Sequence, residues 1–273
     1  MNTLSLKPRV AGMDIPAIQR VRAARTLHWL WQGWRDFRRS WPISLSYGVL
    51  YAALGGLLMI WSRDSTHLTM AMISGFVLVA PFLAIGFYAI SSRLEHGLDA
   101  GGLFHPLSKL RRNAASIGLF ALMLAFSMSI WERISALLVG LFLKNDLVAS
   151  GYFSLGLLFE GKHLGFVIAY LFFGAMLATL VFALSAVSLP MMMDRPVDIV
   201  TAITTSLWTV WRNPLPMLAW AGLIGVLTLV GVLTAFIGLA VLFPVMGHAS
   251  WHAYRDLVAR HCSAGSLSRI RPG

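Results

Sequence analysis

Residues 214–247 read PLPMLAWAGLIGVLTLVGVLTAFIGLAVLFPVMG, a run without a single charge. A helix needs about 20 apolar residues to cross a hydrocarbon core of about 30 Å. This run is too long for one crossing and slightly short for two. The stretch from His248 to Leu257 supplies the missing length. The reading is therefore two spans, 215–232 and 236–256, joined by a tight turn between Gly231 and Gly238.

The same reading extends upstream. Apolar runs at 42–61, 68–90, 114–143 and 164–189 each have the length of a span. The whole chain has 273 residues, of which 58% are hydrophobic and 12% charged, and its mean hydropathy is +0.73. Soluble domains carry about 25% charged residues, so an ordinary soluble fold is excluded. Some 40 mostly polar residues precede the first apolar run, which argues against a cleaved signal peptide. The third run is long enough that its helix either projects beyond the bilayer or breaks near Trp131. A single cysteine, Cys262, leaves no intrachain disulfide and no cysteine cluster.

Two stretches read as amphipathic helices. In 26–41, Leu27, Leu30, Trp31, Trp34, Phe37 and Trp41 share one face, and His28, Gln32, Arg35, Asp36 and Arg39 share the other. In 196–211, Val197, Val200, Ile203, Thr204, Leu207 and Trp211 oppose Asp198, Thr201, Thr205, Thr209 and Arg212. A Trp-rich face opposite a polar one suits the membrane interface. Residues 1–25 and 258–273 read as disordered tails flanking a membrane domain at 26–257.

Charge sets the orientation. With six spans, eighteen Lys and Arg fall on the side of both termini and three (Arg63, Lys144, Lys162) on the other, leaving Arg133 aside. That asymmetry places both termini in the cytoplasm of a bacterial inner membrane. It also accounts for the net charge of +11 without nucleic acid. The pattern Trp31-x-x-Trp34-Arg35 before Pro42 returns as Trp208-x-x-Trp211-Arg212 before Pro214, as in an internal repeat. The expected fold is all-α: a polytopic bundle of six transmembrane helices in three hairpins, each preceded by a cytoplasmic amphipathic segment.

Few polar residues fall near the apolar runs. Glu132 and Arg133 interrupt the third, and counting from Ala114 puts them at the outer interface. Asp194, Arg195 and Asp198 surround Pro196, where an aspartate can cap the next helix. His248 and His252 are four apart and so share a helical face. That spacing suits zinc, copper or haem iron, but no third ligand follows in the pattern. Beside Trp251, Tyr254 and Arg255 the two histidines read instead as an interfacial belt. Met191 to Met193 read as apolar filler. No metal and no cofactor is expected, and no nucleotide-binding or hydrolase motif occurs.

The segment Pro244-x-x-Gly247-His248-Ala249-x-Trp251-His252-Ala253-Tyr254-Arg255 resembles the close of a bacterial integral membrane family, domain of unknown function 2189. Gly75 through Pro81 to Gly86, Ser188-Leu189-Pro190 to Asp198, and Asn213-Pro214 resemble it too. The resemblance spans about residues 25–258 and implies six spans, with no activity to transfer. Some members are described as resembling a cytochrome c oxidase subunit. The functional expectation is a non-enzymatic, transporter-like protein handling a small molecule or lipid. The alternative is a scaffold or assembly factor for a larger complex, including a respiratory oxidase accessory. Membrane lipids and other membrane proteins are the expected partners.

Overall fold

The computed structural model describes residues 15–62, 66–102, 110–143 and 163–259. Within them the chain is all-α. The helices are α1 (Arg25–Arg39), α2 (Trp41–Ser62), α3 (Thr66–Leu83), α4 (Ile85–Glu95), α5 (Ala114–Phe142), α6 (Leu164–Ser185), α7 (Ser188–Asp194), α8 (Ile199–Arg212), α9 (Pro214–Leu233) and α10 (Leu239–Leu257). Helices α3 and α4 form one bent rod, as do α6 and α7. Five rods are long and apolar enough to cross a membrane: Trp41–Ser62, Leu68–Glu95, Ala114–Phe142, Leu164–Asp194 and Pro214–Leu233. Helix α10 is not among them, because its second half carries two histidines, an arginine and an aspartate.

The helix ends follow from local chemistry. Pro42 and Pro214 stand in first turns, where a missing N–H leaves no bond unmade. Asp198 caps α8, its carboxylate accepting from the Thr201 backbone N–H at 3.0 Å and from the Thr201 hydroxyl at 2.9 Å. The third apolar run does not break at Trp131. It is one helix of 29 residues, and the buried Trp131 donates its indole N–H to Ser74 on α3 at 2.6 Å. Where α6 bends into α7, the Ala183 carbonyl and the Val187 amide lose each other as partners. The Ser206 hydroxyl fills the gap, donating to Ala183 at 2.7 Å and accepting from Val187 at 3.2 Å. The serine thus pairs both of these backbone groups at the bend.

The α9–α10 turn falls at 234–238, inside the expected interval. Ala235 and Phe236 adopt positive φ of 51° and 68°, a region that disfavours side chains. The Phe236 ring is buried against Gly55 and Phe76, and that packing opposes the local cost. Beyond the turn Tyr51 lies between Phe76 and Phe243, ring centres 4.3 and 3.7 Å apart. Helix α10 is the hub of this half, packed against α1, α2, α4 and α9, while α3, α5 and α6 form the other half.

The amphipathic helices are oriented against the soluble-protein rule. In α8 the small and polar residues Ala202, Thr205, Ser206 and Thr209 face inward, and Val200, Leu207 and Trp211 are exposed. Thr205, expected on a water-facing side, is fully buried. In α1 the inward face is Trp29, Gly33, Asp36 and Phe37, while Leu27, Trp31 and Trp34 are exposed. Asp36 thus moves from the expected outer face into the core. When the outside is lipid, an apolar face gains nothing by turning inward.

All the described rod ends with polar clusters gather at one end. Residues 15–22, from the stretch read as a basic tail, run as a strap with Ile15 and Ile18 buried, and residues 23–24 turn into α1. Gln19 donates to the Leu257 carbonyl and Ala259 to that of Ala17, each at 2.9 Å. Asn213 accepts from the Val21 amide at 3.0 Å. Asn113 donates to the carbonyls of Met192 and Arg195, both at 2.7 Å. The start of α9, the end of α10 and the strap therefore meet. Residues 1–14 and 260–273, and the 144–162 part of the expected loop, lie outside the described residues.

Candidate functional site

The site is the polar second half of α10. Its first half is apolar and its neighbours approach closely through small residues. Gly33 on α1 sits so near that an added Cβ would stand 2.5 Å from the Val245 carbonyl oxygen. Gly48 on α2 lies against the Ala240 backbone, and Gly247 on α10 against the Phe87 ring. These contacts bring polar residues of three helices, α1, α2 and α4, within bonding distance of His248 and His252.

A closed ring of hydrogen bonds results. His248 is fully buried. Its Nε2 meets Ser44 Oγ on α2 at 2.9 Å, and its Nδ1 meets Ser91 Oγ on α4 at 2.8 Å. Ser91 donates to Asp36 Oδ2 on α1 at 2.7 Å, and His252 Nε2 reaches the same oxygen at 2.8 Å. Ser44 meets Ser40 Oγ at 2.8 Å, and Ser40 donates to the Asp36 carbonyl at 2.9 Å. Burial alone would raise the Asp36 carboxyl. The bonds from His252 and Ser91, with the charge of the histidines, outweigh it and hold the group below its usual value.

The next turn of α10 makes a second cluster. Arg255 donates to Glu95 Oε1 on α4 at 3.0 Å and to Asp194 Oδ2 on α7 at 3.2 Å. Tyr254 donates its hydroxyl to Asp194 at 2.7 Å, and Trp251 its indole N–H to Glu95 at 3.1 Å. Arg195 reaches Asp194 at 3.4 Å. Asp256 takes bonds from Trp29 at 2.7 Å and from Arg25 at 2.9 Å, and that partner raises the Arg25 guanidinium further. Both clusters place acids against bases, so buried charge is paired where it is made.

Of the residues singled out from the sequence, Asp194, Arg195, His248, His252 and Arg255 converge here. Asp198 is the α8 cap. Glu132 and Arg133 lie elsewhere, about 27 Å along α5 from its start. Their side chains approach only to 4.0 Å, and that of Arg133 is 86% exposed. The expectation of an interfacial histidine belt is corrected: His248 is a core residue. Asp36, Glu95, Ser44, Ser91 and Asp256 were not singled out. One signal existed for Asp36, the lone acid among Arg35, Arg38 and Arg39. An acid in a strongly basic interface has a reason to face inward.

The arrangement can bind helices together and can hold protons. Among the described residues no three of His, Cys, Asp and Glu are grouped to hold a metal ion, and both nitrogens of His248 already face hydroxyls. Ser44 is fully buried beside an imidazole.

Residues 68–194 match the family described as "Predicted integral membrane protein (DUF2189)", the family that the residue pattern resembles. The chain is a multi-pass integral membrane protein. The matched segment includes Ser91, Glu95 and Asp194 but stops before α8, α9 and α10. No curated protein and no solved structure matches the chain.

Proposed function

We propose that this chain is a non-enzymatic scaffold of a bacterial inner membrane, a six-span protein with both termini cytoplasmic. Helix α10 serves as the sixth span, at the centre of the bundle rather than at its lipid surface. A span surrounded by protein tolerates the histidines and the arginine that a lipid-facing one would not. The meeting of the strap, Asn213 and Leu257 supports an even number of crossings. The Trp-x-x-Trp-Arg helices α1 and α8, each leading into a Pro-initiated span, fit a repeated unit. Their exposed Trp31, Trp34 and Trp211 suit the headgroup region.

One observation carries the scaffold over the carrier: the serines that would line a polar path close on their own helices. Ser127 donates to Met123 at 3.0 Å, Ser129 to Ala125 at 3.1 Å, Ser185 to Phe182 at 3.5 Å and Ser188 to Leu184 at 2.5 Å. A solute path needs such groups turned toward the solute. Extracted in mild detergent and resolved by native electrophoresis, the protein is expected to migrate well above its 30.0 kDa chain mass after correction for bound detergent. Proteoliposomes holding it are expected to swell in glycerol no faster than protein-free vesicles. A single-chain particle whose vesicles swell rapidly would replace the scaffold with a carrier.

A further inference from the structure

We propose that the ring around His248 is a proton-binding site, holding one proton more than a carboxylate and neutral imidazoles would bring.

Six contacts of 2.7–2.9 Å close the cluster. Each needs one hydrogen between its heavy atoms, because two lone pairs at that distance repel. With Asp36 ionised and both histidines neutral, the three serines and two imidazoles supply five. The assignments leave no slack. Ser40 must donate to the Asp36 carbonyl, which only accepts, and so Ser44 must donate to Ser40. Nε2 of His248 must then donate to Ser44. On the other side Ser91 must donate to the Asp36 carboxylate. Nδ1 of His248 therefore faces an oxygen whose only hydrogen is already committed. A proton on Nδ1 completes the ring. It makes His248 an imidazolium that reaches the Asp36 carboxylate through Ser91.

Charge points the same way. With neutral histidines the buried cluster carries the uncompensated charge of Asp36, and the added proton brings it to zero. Burial by itself disfavours a charged imidazole, so the site depends on the Asp36 carboxylate to hold the proton. The titratable groups facing His248 are Asp36 from α1 and His252 from its own helix. From α4 comes Glu95, one turn beyond Ser91 and bonded to Trp251 and Arg255. From α2 come only hydroxyls among the described contacts. A proton on His252 instead would balance the charge of Asp36 but would add no hydrogen between His248 and Ser91. The proton's function is to lock α1, α2 and α4 onto α10.

The test is the nitrogen-15 spectrum of the full-length protein, labelled at histidine, in lipid nanodiscs at pH 7. Loss of one resonance set in His248→Gln assigns the residue. Both ring nitrogens of His248 are expected at imidazolium positions. Asp36→Asn should then return His248 to a neutral imidazole, since the amide donates to Ser91 and frees the serine hydrogen for Nδ1. Its elution and helical content are expected to match the parent. A neutral His248 in the parent overturns the proposal. So does an imidazolium that persists unchanged in a folded Asp36→Asn protein.

Discussion

Asp36→Ala is expected to lower the stability of the folded protein by about 3–5 kcal/mol, the range for breaking a buried ion pair by deleting one partner. The side chains of Asp36 and His252 are only 8% and 16% exposed, so water cannot replace the lost bonds. Deletion leaves Ser91 without its acceptor and His252 without its carboxylate, and it takes away the charge that faces His248. It also removes the only charged side chain that α1 contributes to the ring. Asp36→Asn keeps the shape and the bonding capacity and should retain most of the stability. Denaturant titration in mixed micelles, followed by tryptophan fluorescence, measures both. Equal losses for the two substitutions would mean that the carboxylate charge, and not the shape or bonding of the side chain, holds the site.

The second large effect is steric. Gly48→Val is expected to cost about 3 kcal/mol, the upper part of the usual range for overpacking, or to prevent α2 from docking. Even a bare Cβ at Gly48 would collide with the Ala240 backbone, which cannot rotate away as a side chain tip can. Gly56, two turns along the same helix, has nothing within 4 Å of an added Cβ. Gly56→Ala is expected to be neutral or to stabilise by up to about 1 kcal/mol through helix propensity. The pair measures helix contact against helix propensity in one titration. A tolerated Gly48→Val would mean that α2 does not lie on α10.

Much of the architecture was legible in the sequence because it depends on local quantities. Apolar run length gives the rods, and the prolines at 42 and 214 give two of their starts. The spacing of His248 and His252 gave their shared face. Which way that face points was not legible. The partners of these histidines lie 204 and 216 residues away, in Ser44 and Asp36, and no window of the chain contains both ends of such a bond. The inward faces of α1 and α8 were misread for a different reason. A helical moment separates apolar from polar residues, and lipid takes the apolar side, but it does not say whether the polar side meets water or the other helices. Thr205, Ser206 and Thr209 turn inward because small residues permit close approach and their hydroxyls are satisfied by nearby carbonyls. Arg255 reads from the sequence as a headgroup contact beside the histidines, while the acids it meets, Glu95 and Asp194, come from two other rods.

Helix α10 is expected to cross the membrane inside the bundle and to return the chain to the side where it began. Cys262, the single native cysteine, lies five residues beyond α10 and reports the side directly. The measurement is its reaction with a membrane-impermeant maleimide in sealed right-side-out and inside-out vesicles, beside a Cys262→Ser protein carrying Asn2→Cys. Both cysteines are expected to react in inside-out vesicles and to stay protected in right-side-out ones. Labelling of the two positions from opposite sides would mean that α10 does not cross.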